Sequence, residues 1–317
     1  MRKLEERCTL IKPKLYDRLG VRGEIQRRIS METKKSKIGI IDVGGGMRDV
    51  YAAGVLETCL EQGILFDYCI GISAGSGNLL TYLAGQKGRN YKFYAEYAFR
   101  KEYISLWNFL RNRNYINLDY AYGVLSNSDG ENPLDYAAFA RTKAEYYVVA
   151  CNALTGETKY FDRRDVKQDC YDILKASSTL PVVCRPYVVD GIPYYDGGFA
   201  DPVPVAKAFA DGCDKVVLVL SRPEDFVRVP DKDVRVAKKI RKKYPRAAEE
   251  LSLRYKKYND GVALAKECAK QGKLLLIAPD DCCGVDTLTK DKENMKRLFE
   301  KGQEDGKRIR AFVSGTR

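Results

Sequence analysis

Two short apolar runs each end in a cluster of small residues and then pass into a helical pattern. This succession restricts the fold more than any other feature of the chain. Residues 37–43 read KIGIIDV, a β-branched run of the length of one buried strand, and Gly44, Gly45 and Gly46 interrupt it. From Arg48 to Gln62 the pattern becomes helical, with Val50, Gly54, Val55 and Cys59 on one face. The unit then repeats: FDYCIGI (66–72) predicts a second strand, Ser73 marks its end, and SGNLLTYLAG (76–85) continues as an amphipathic helix. Parallel strands need a crossover, usually a helix, to return the chain to the same edge. A strand–glycine turn–helix unit repeated at once therefore predicts an α/β fold with a mainly parallel sheet.

The rest of the chain adds further elements. Residues 91–145, rich in Tyr and Asn, predict helices joined by polar loops, and EYYVVACNA (145–153) with ETKYFD (157–162) predicts a hairpin through Leu154-Thr155-Gly156. A helix is expected from Cys170 to Leu180, stopped by Pro181, and a short hairpin with a glycine turn in VDGIPYYDGG (189–198). DKVVLVL (214–220) reads as a buried strand and KLLLIAP (273–279) as another. No run approaches the roughly 18 apolar residues of a membrane span, and the basic start lacks the apolar block of a signal peptide, so a cytoplasmic protein is expected.

Composition decides the chemistry. The 317 residues include no histidine. That excludes a Ser-His-Asp triad, a Cys-His dyad and His-ligated zinc, iron or haem, and leaves proton transfer to Asp, Glu, Lys, Tyr, Cys or water. The ten cysteines (8, 59, 69, 151, 170, 184, 213, 268, 282 and 283) show no C-x-x-C spacing; only Cys282 and Cys283 are close in sequence. They read as small buried hydrophobes in a reducing compartment, and neither metal nor cofactor is expected.

Three motifs stand out against this background. Gly71-Ile72-Ser73-Ala74-Gly75 fits G-x-S-x-G where a strand meets a helix, a sharp turn that strains the serine and needs small neighbours. There the hydroxyl stands at a helix N-terminus that favours a developing alkoxide; an ordinary N-cap serine would look the same in isolation. Gly44-Gly45-Gly46-Met47-Arg48 offers convergent backbone N–H groups for an oxyanion. The rival dinucleotide fingerprint would need glycine where Asp49 stands, and Asp67 is a weak ribose partner. Asp196-Gly197-Gly198 ends an extended aromatic stretch; by itself it is a common turn, but without histidine its carboxylate is the evident base for Ser73.

In this order the three motifs resemble the patatin-like phospholipase family over roughly residues 37–222, with further agreement in Ala176-Ser177-Ser178 and Asp201-Pro202-Val203-Pro204. The resemblance implies a three-layer α/β/α fold with a mainly parallel central sheet, and a serine acyl-ester hydrolase of the phospholipase A or lipid acyl hydrolase type. It also implies Ser73 as nucleophile and Asp196 as base, with Gly44, Gly45 and Gly46 as oxyanion hole, Arg48 bracing that loop, and Gly71, Gly75, Gly197 and Gly198 as motif glycines. The substrate implied is a lipid or other acyl ester. Two positions depart from the family pattern: Asp49 replaces a glycine, which bears on the helix start or on substrate charge preference, and Asp201 stands where Asn is frequent. The opposing expectation is a non-catalytic lipid- or anion-binding regulator on the same fold.

The chain divides into a basic N-terminal extension (1–36), a catalytic domain (37–222) and a basic, mostly helical, mixed C-terminal extension (223–317) packing on the core. The net charge of +12 is concentrated: residues 1–30 hold 9 Lys and Arg against 4 Asp and Glu, and residues 228–257 hold 12 against 4. The first 30 residues read either as a loosely attached extension or as the product of a start site set too early, with Met31 leading into strand one. The 228–257 segment, helical on both sides of Pro245, reads as a solvated cap beside the site or as a surface for peripheral contact with anionic membrane. No base-stacking or zinc module accompanies it, so no nucleic acid is expected. Trp107, Phe109 and Tyr115 either line an acyl pocket or belong to an aromatic core.

Overall fold

The computed structural model describes residues 36–315. The N-terminal extension, except its last residue, lies outside the described residues. One eight-stranded sheet forms the centre. In chain order, strand β1 (Ile38–Asp42) leads through a 3₁₀ turn at Gly46–Asp49 into helix α1 (Val50–Glu61), and β2 (Tyr68–Ile72) leads into α2 (Ala74–Leu83). Then come α3 (Arg89–Ala95), α4 (Leu106–Asn112), α5 (Tyr136–Arg141), β3 (Glu145–Asn152), β4 (Thr158–Asp162) and α6 (Asp172–Ser177). A hairpin of β5 (Tyr187–Val189) and β6 (Ile192–Asp196) precedes α7 (Val205–Ala210) and β7 (Lys215–Val219). The chain closes with α8 (Asp231–Ile240), α9 (Pro245–Lys270), β8 (Leu274–Ile277), α10 (Lys292–Gly306) and α11 (Arg308–Ser314).

The sheet order is β5-β6-β3-β2-β1-β7-β8, with β4 on the far edge of β3. The five strands β3, β2, β1, β7 and β8 run parallel; β4 and β6 run against them, and β5, antiparallel to β6, shares their direction. Parallel strands are buried on both faces, which explains why β1, β2 and β7 read as continuous apolar runs instead of alternating ones. Alternation is still present in what each residue touches. Ile40 joins a core with α1, α2, α6 and α10, while its neighbour Ile41 joins another with α7 and α9. Helices therefore cover both faces, giving the three-layer α/β/α arrangement.

The C-terminal segment is built into this body. β8 extends the parallel sheet beside β7, and α10 packs along α1. A side chain at Gly54 would overlap the Phe299 carbonyl and one at Gly302 the Tyr51 carbonyl, so glycines on both helices permit the close approach. Pro245 occupies the first turn of α9, where its missing N–H costs nothing.

Candidate active site

Strand β3 acts as the ruler that sets the site. β4 occupies one of its edges through residues 147–151, so β2 and β6 share the other. On that shared edge Ile72 of β2 pairs with Val149, and Asp196 of β6 pairs with Ala150, the next residue along. The end of β2 and the end of β6 are thereby brought to one place, although 123 positions separate Ser73 from Asp196 in the chain.

Ser73 sits between β2 and α2 with φ 55° and ψ −129°, a strained conformation for a residue with a side chain. The surroundings hold it there. Its N–H donates to Ser177 Oγ (2.8 Å), and its carbonyl accepts from Ser76 N–H (3.0 Å) and Ser76 Oγ (2.6 Å). The flanking motif glycines leave room for the turn: a Cβ at Gly75 would lie 2.6 Å from Asp42 Cγ, and one at Gly71 would overlap Ser76.

Asp196 is 2% exposed. Its N–H donates to the Thr179 carbonyl (2.9 Å), and its Oδ1 accepts from Gly198 N–H (2.8 Å), which fixes the carboxylate at the start of the Gly197–Phe199 turn. Burial pushes its pKa up; the Arg254 charge, a hydrogen bond from the Ser73 side chain and the Gly198 amide oppose that rise. The result is a stronger base than a solvated aspartate, already in contact with the serine hydroxyl. Gly197 lies so close to the Val149 carbonyl that a side chain would overlap it.

The glycine loop is more differentiated than its sequence. Gly44, Gly45 and Gly46 all have positive φ (69°, 158° and 62°), and side chains would collide with the Ile72 carbonyl, Ser221 and Thr287 respectively. The Gly44 N–H is already committed to Asp42 Oδ1 (3.0 Å), and its carbonyl accepts from Ser221 Oγ (2.6 Å). Of the three expected oxyanion donors, Gly44 is thus occupied. The N–H groups of Gly45 and Gly46 have no acceptor among the described residues. Arg48, 6% exposed, pairs with Asp286 and donates to Thr287 Oγ1 (3.0 Å), while Met47 N–H donates to the Thr287 carbonyl (3.0 Å). Burial and the neighbouring Arg222 charge bring the Arg48 pKa down to about 10.

Asp49 does not act on the cavity. It is fully buried behind the loop, where Asn78 Nδ2 donates to its Oδ2 (2.9 Å), and it shares a hydrogen bond with Asp42. Burial and the facing Asp42 carboxylate hold the Asp49 pKa well above the ordinary range, and burial lifts that of Asp42 to about 6. Each carboxyl therefore favours its protonated form more than a solvated aspartate does. Asp49 starts helix α1 without a cap from its own side chain, so of the two effects anticipated for it, substrate charge preference finds no support in its position. Asp201 is also turned away, accepting a hydrogen bond from the Tyr160 hydroxyl.

Ser73, Asp196, Gly198, the 44–46 loop and Arg48 line one cavity of about 530 Å³. Ile104, Ile116, Leu118, Leu180 and Val183 supply an apolar wall, and Leu251, Phe226 and Tyr258 another. The aromatic pocket expected from Trp107, Phe109 and Tyr115 is not formed. Trp107 points outward at 68% exposure, Tyr115 packs in a small cluster behind Ile104 and Ile116, and none of the three lines the cavity. The basic 228–257 segment is only partly a solvated surface, because Arg228, Lys232, Val236 and Arg254 line the cavity. Asp286, Thr287, Ser221 and Arg254 escaped the sequence reading, since none lies in a motif; Ser177, noted within Ala176-Ser177-Ser178, is placed by the structure at the Ser73 N–H.

Comparison with known proteins identifies the family. A family model described as patatin-like phospholipase matches residues 43–209, and one described as a domain of unknown function (DUF6363) matches residues 244–311. The uncharacterized protein YjjU of Escherichia coli is 31% identical over 199 residues, 61% of this chain and 54% of that protein. Lysophospholipase NTE1 of Candida albicans is 24% identical over 196 residues, 61% of this chain and 14% of that protein. The chain thus matches about half of the first relative and a small part of the second. The crystal structure of VipD from Legionella pneumophila superposes with a TM-score of 0.49 at 13% identity, covering 89% of this chain and 67% of that one. With the family model spanning more than half of its length, the chain belongs to the patatin-like phospholipase family.

Proposed function

We propose that the chain is a serine hydrolase of lipid acyl esters working through a Ser73–Asp196 dyad. The observation that carries this reading is the pairing of a strained serine at a strand–helix turn with a buried aspartate on the adjacent rung of the same strand edge, both in one cavity with apolar walls. Ser73 Oγ attacks the ester carbonyl carbon while Asp196 takes the hydroxyl proton; burial makes it a better acceptor than a solvated carboxylate. The tetrahedral oxyanion is received by the N–H groups of Gly45 and Gly46, with the Ala74 N–H at the start of α2 also on the cavity wall. Gly44 serves the loop by conformation and Arg48 by anchoring it to Asp286 and Thr287. Collapse of the intermediate expels the alcohol, which recovers the proton from Asp196. Water then repeats the sequence on the acyl-enzyme and frees the fatty acid. No metal or cofactor enters the scheme.

Hydrolysis of a short p-nitrophenyl ester tests the dyad. Ser73→Ala and Asp196→Asn should each lower kcat by about 10³-fold or more with the fold intact, since the two act as one unit. Turnover retained in purified Ser73→Ala contradicts the proposal.

A further inference from the structure

The cavity carries more positive charge than its ion pairs consume. Arg48, Arg222, Arg228, Lys232 and Arg254 line it, against Asp196, Asp233 and Asp286. Arg228 is held by Asp233 through two contacts (2.7 and 2.8 Å), and Arg48 by Asp286. Arg222 reaches Asp286 only at 3.6 Å and otherwise stacks on Phe226. Arg254 forms no ion pair within 4 Å and no hydrogen bond among the described residues; the Phe199 ring lies beside its guanidinium, and the Asp196 and Asp233 charges act on it from farther off. The Nε atoms of both Arg222 and Arg254 are buried and unsatisfied.

A half-buried guanidinium whose Nε has no partner is costly, and burial with the nearby Arg228 charge pushes the Arg254 pKa down, with Asp196 opposing. Arg254 stands beside the reacting carboxylate: a Cβ on Gly198 would lie 2.8 Å from an Arg254 terminal nitrogen and 3.0 Å from Asp196 Oδ1. An oxyacid anion is the partner that satisfies a guanidinium fork with two parallel hydrogen bonds.

We propose that Arg254, supported by Arg222, forms an anion subsite that receives the phosphate of a lipid headgroup while the ester carbonyl lies at Ser73. The subsite is supplied by α9 and by the loop after β7, outside the three family motifs. The proposal rests on the acyl hydrolase reading for the identity of the ligand, and it makes the substrates anionic single- or double-chain phospholipids in preference to neutral glycerides.

Binding to the catalytically silent Ser73→Ala protein separates the two claims, because it needs no turnover. The probes are decyl phosphate, the neutral ether 1-decylglycerol, and inorganic phosphate as competitor. Ser73→Ala should bind decyl phosphate at least about tenfold more tightly than the neutral ether. Adding Arg254→Gln should remove that preference, Arg254→Lys should restore part of it, and a thermal melt checks that each variant is folded. Inorganic phosphate displacing decyl phosphate would identify a site for free anion as well as headgroup; failure to compete would identify one that needs the attached chain. Equal affinity for the charged and neutral probes, or equal weakening of both by Arg254→Gln, overturns the subsite.

A second readout separates anion binding from a purely local role. If Arg254 only keeps Asp196 ionised, Arg254→Gln moves the acid limb of kcat/KM to higher pH by the same amount for neutral and anionic esters and leaves decyl phosphate affinity unchanged. That result also overturns the proposal.

Discussion

At the residue scale, the site joins two opposite uses of a buried carboxyl group. Burial raises the pKa of Asp196 while Arg254, Ser73 and Gly198 favour its ionised form, whereas Asp42 and Asp49 face each other and favour the protonated form. The second pair lies under the oxyanion loop and ties the Gly44 N–H. A carboxyl group whose pKa is higher in the folded chain than in the unfolded one stabilises at low pH, and that contribution is lost as pH rises through the folded value. For Asp42 the window runs from 3.8 to about 6, and Asp49 extends it upward. Thermal stability should therefore fall between about pH 4 and pH 6 as Asp42 ionises, by up to ~3 kcal/mol, and continue to fall above that as Asp49 follows. Asp49→Asn, which keeps an amide where the protonated acid stood, should flatten that dependence, and melting curves across the range measure it. A fall as steep in the variant as in the parent chain would show that the pair is not its source.

Which residues were legible follows from how far their causes extend. Ser73 and the 44–46 loop could be read because the turns that strain them lie within five residues. Asp196 entered the candidate site because the absence of histidine left few bases; the structure places it beside Ser73, and its part as the base is the proposal made above. Arg48's partner Asp286 lies 238 positions away, and no local pattern announces it. Trp107, read as lining either an acyl pocket or an aromatic core, does neither: it is exposed, and Ile104 and Ile116, which meet across an isolated bridge, supply the cavity wall.

At the scale of elements, parallel strands and their turns were readable from apolar runs ended by glycine, and the β3–β4 and β5–β6 hairpins from their turn residues. The edge shared by β2 and β6 was not, because pairing between remote strands leaves no local signature. The same holds for α10 on α1, where Gly54, Gly302 and Gly306 face backbone of the opposite helix. Gly302→Ala would ordinarily favour a helix by a few tenths of a kcal/mol to about 1 kcal/mol. Here the new methyl overlaps the Tyr51 carbonyl, and forced separation of the helices should cost about 1–3 kcal/mol. Chemical denaturation provides the value, and an unchanged or higher midpoint would show that the helices part without strain.

At the scale of the molecule, the +12 charge is carried by segments with distinct surroundings. One face of α8 and α9 turns Lys232 and Arg254 into the cavity, while Lys238, Lys239, Arg241, Lys242 and Lys243 are exposed. Leu106, Trp107 and Leu110 on α4 are also exposed, beside Arg111 and Arg113. Among the described residues no helix is long and apolar enough to cross a membrane. Basic side chains at a bilayer surface contribute about 1 kcal/mol each, so peripheral contact with anionic lipid is the role proposed for this exposed set. Reversing Lys238, Lys239 and Lys242 to Glu should lower binding to phosphatidylglycerol vesicles by at least about tenfold and leave weak binding to phosphatidylcholine vesicles unchanged. Equal binding by the parent and reversed chains would remove that role. The central claim concerns Ser73, and covalent labelling with a fluorophosphonate followed by peptide mass spectrometry tests it most directly. The account predicts one adduct, on Ser73, formed by the folded chain and lost in Asp196→Asn; a folded protein that remains unlabelled, or labels at another residue, contradicts it.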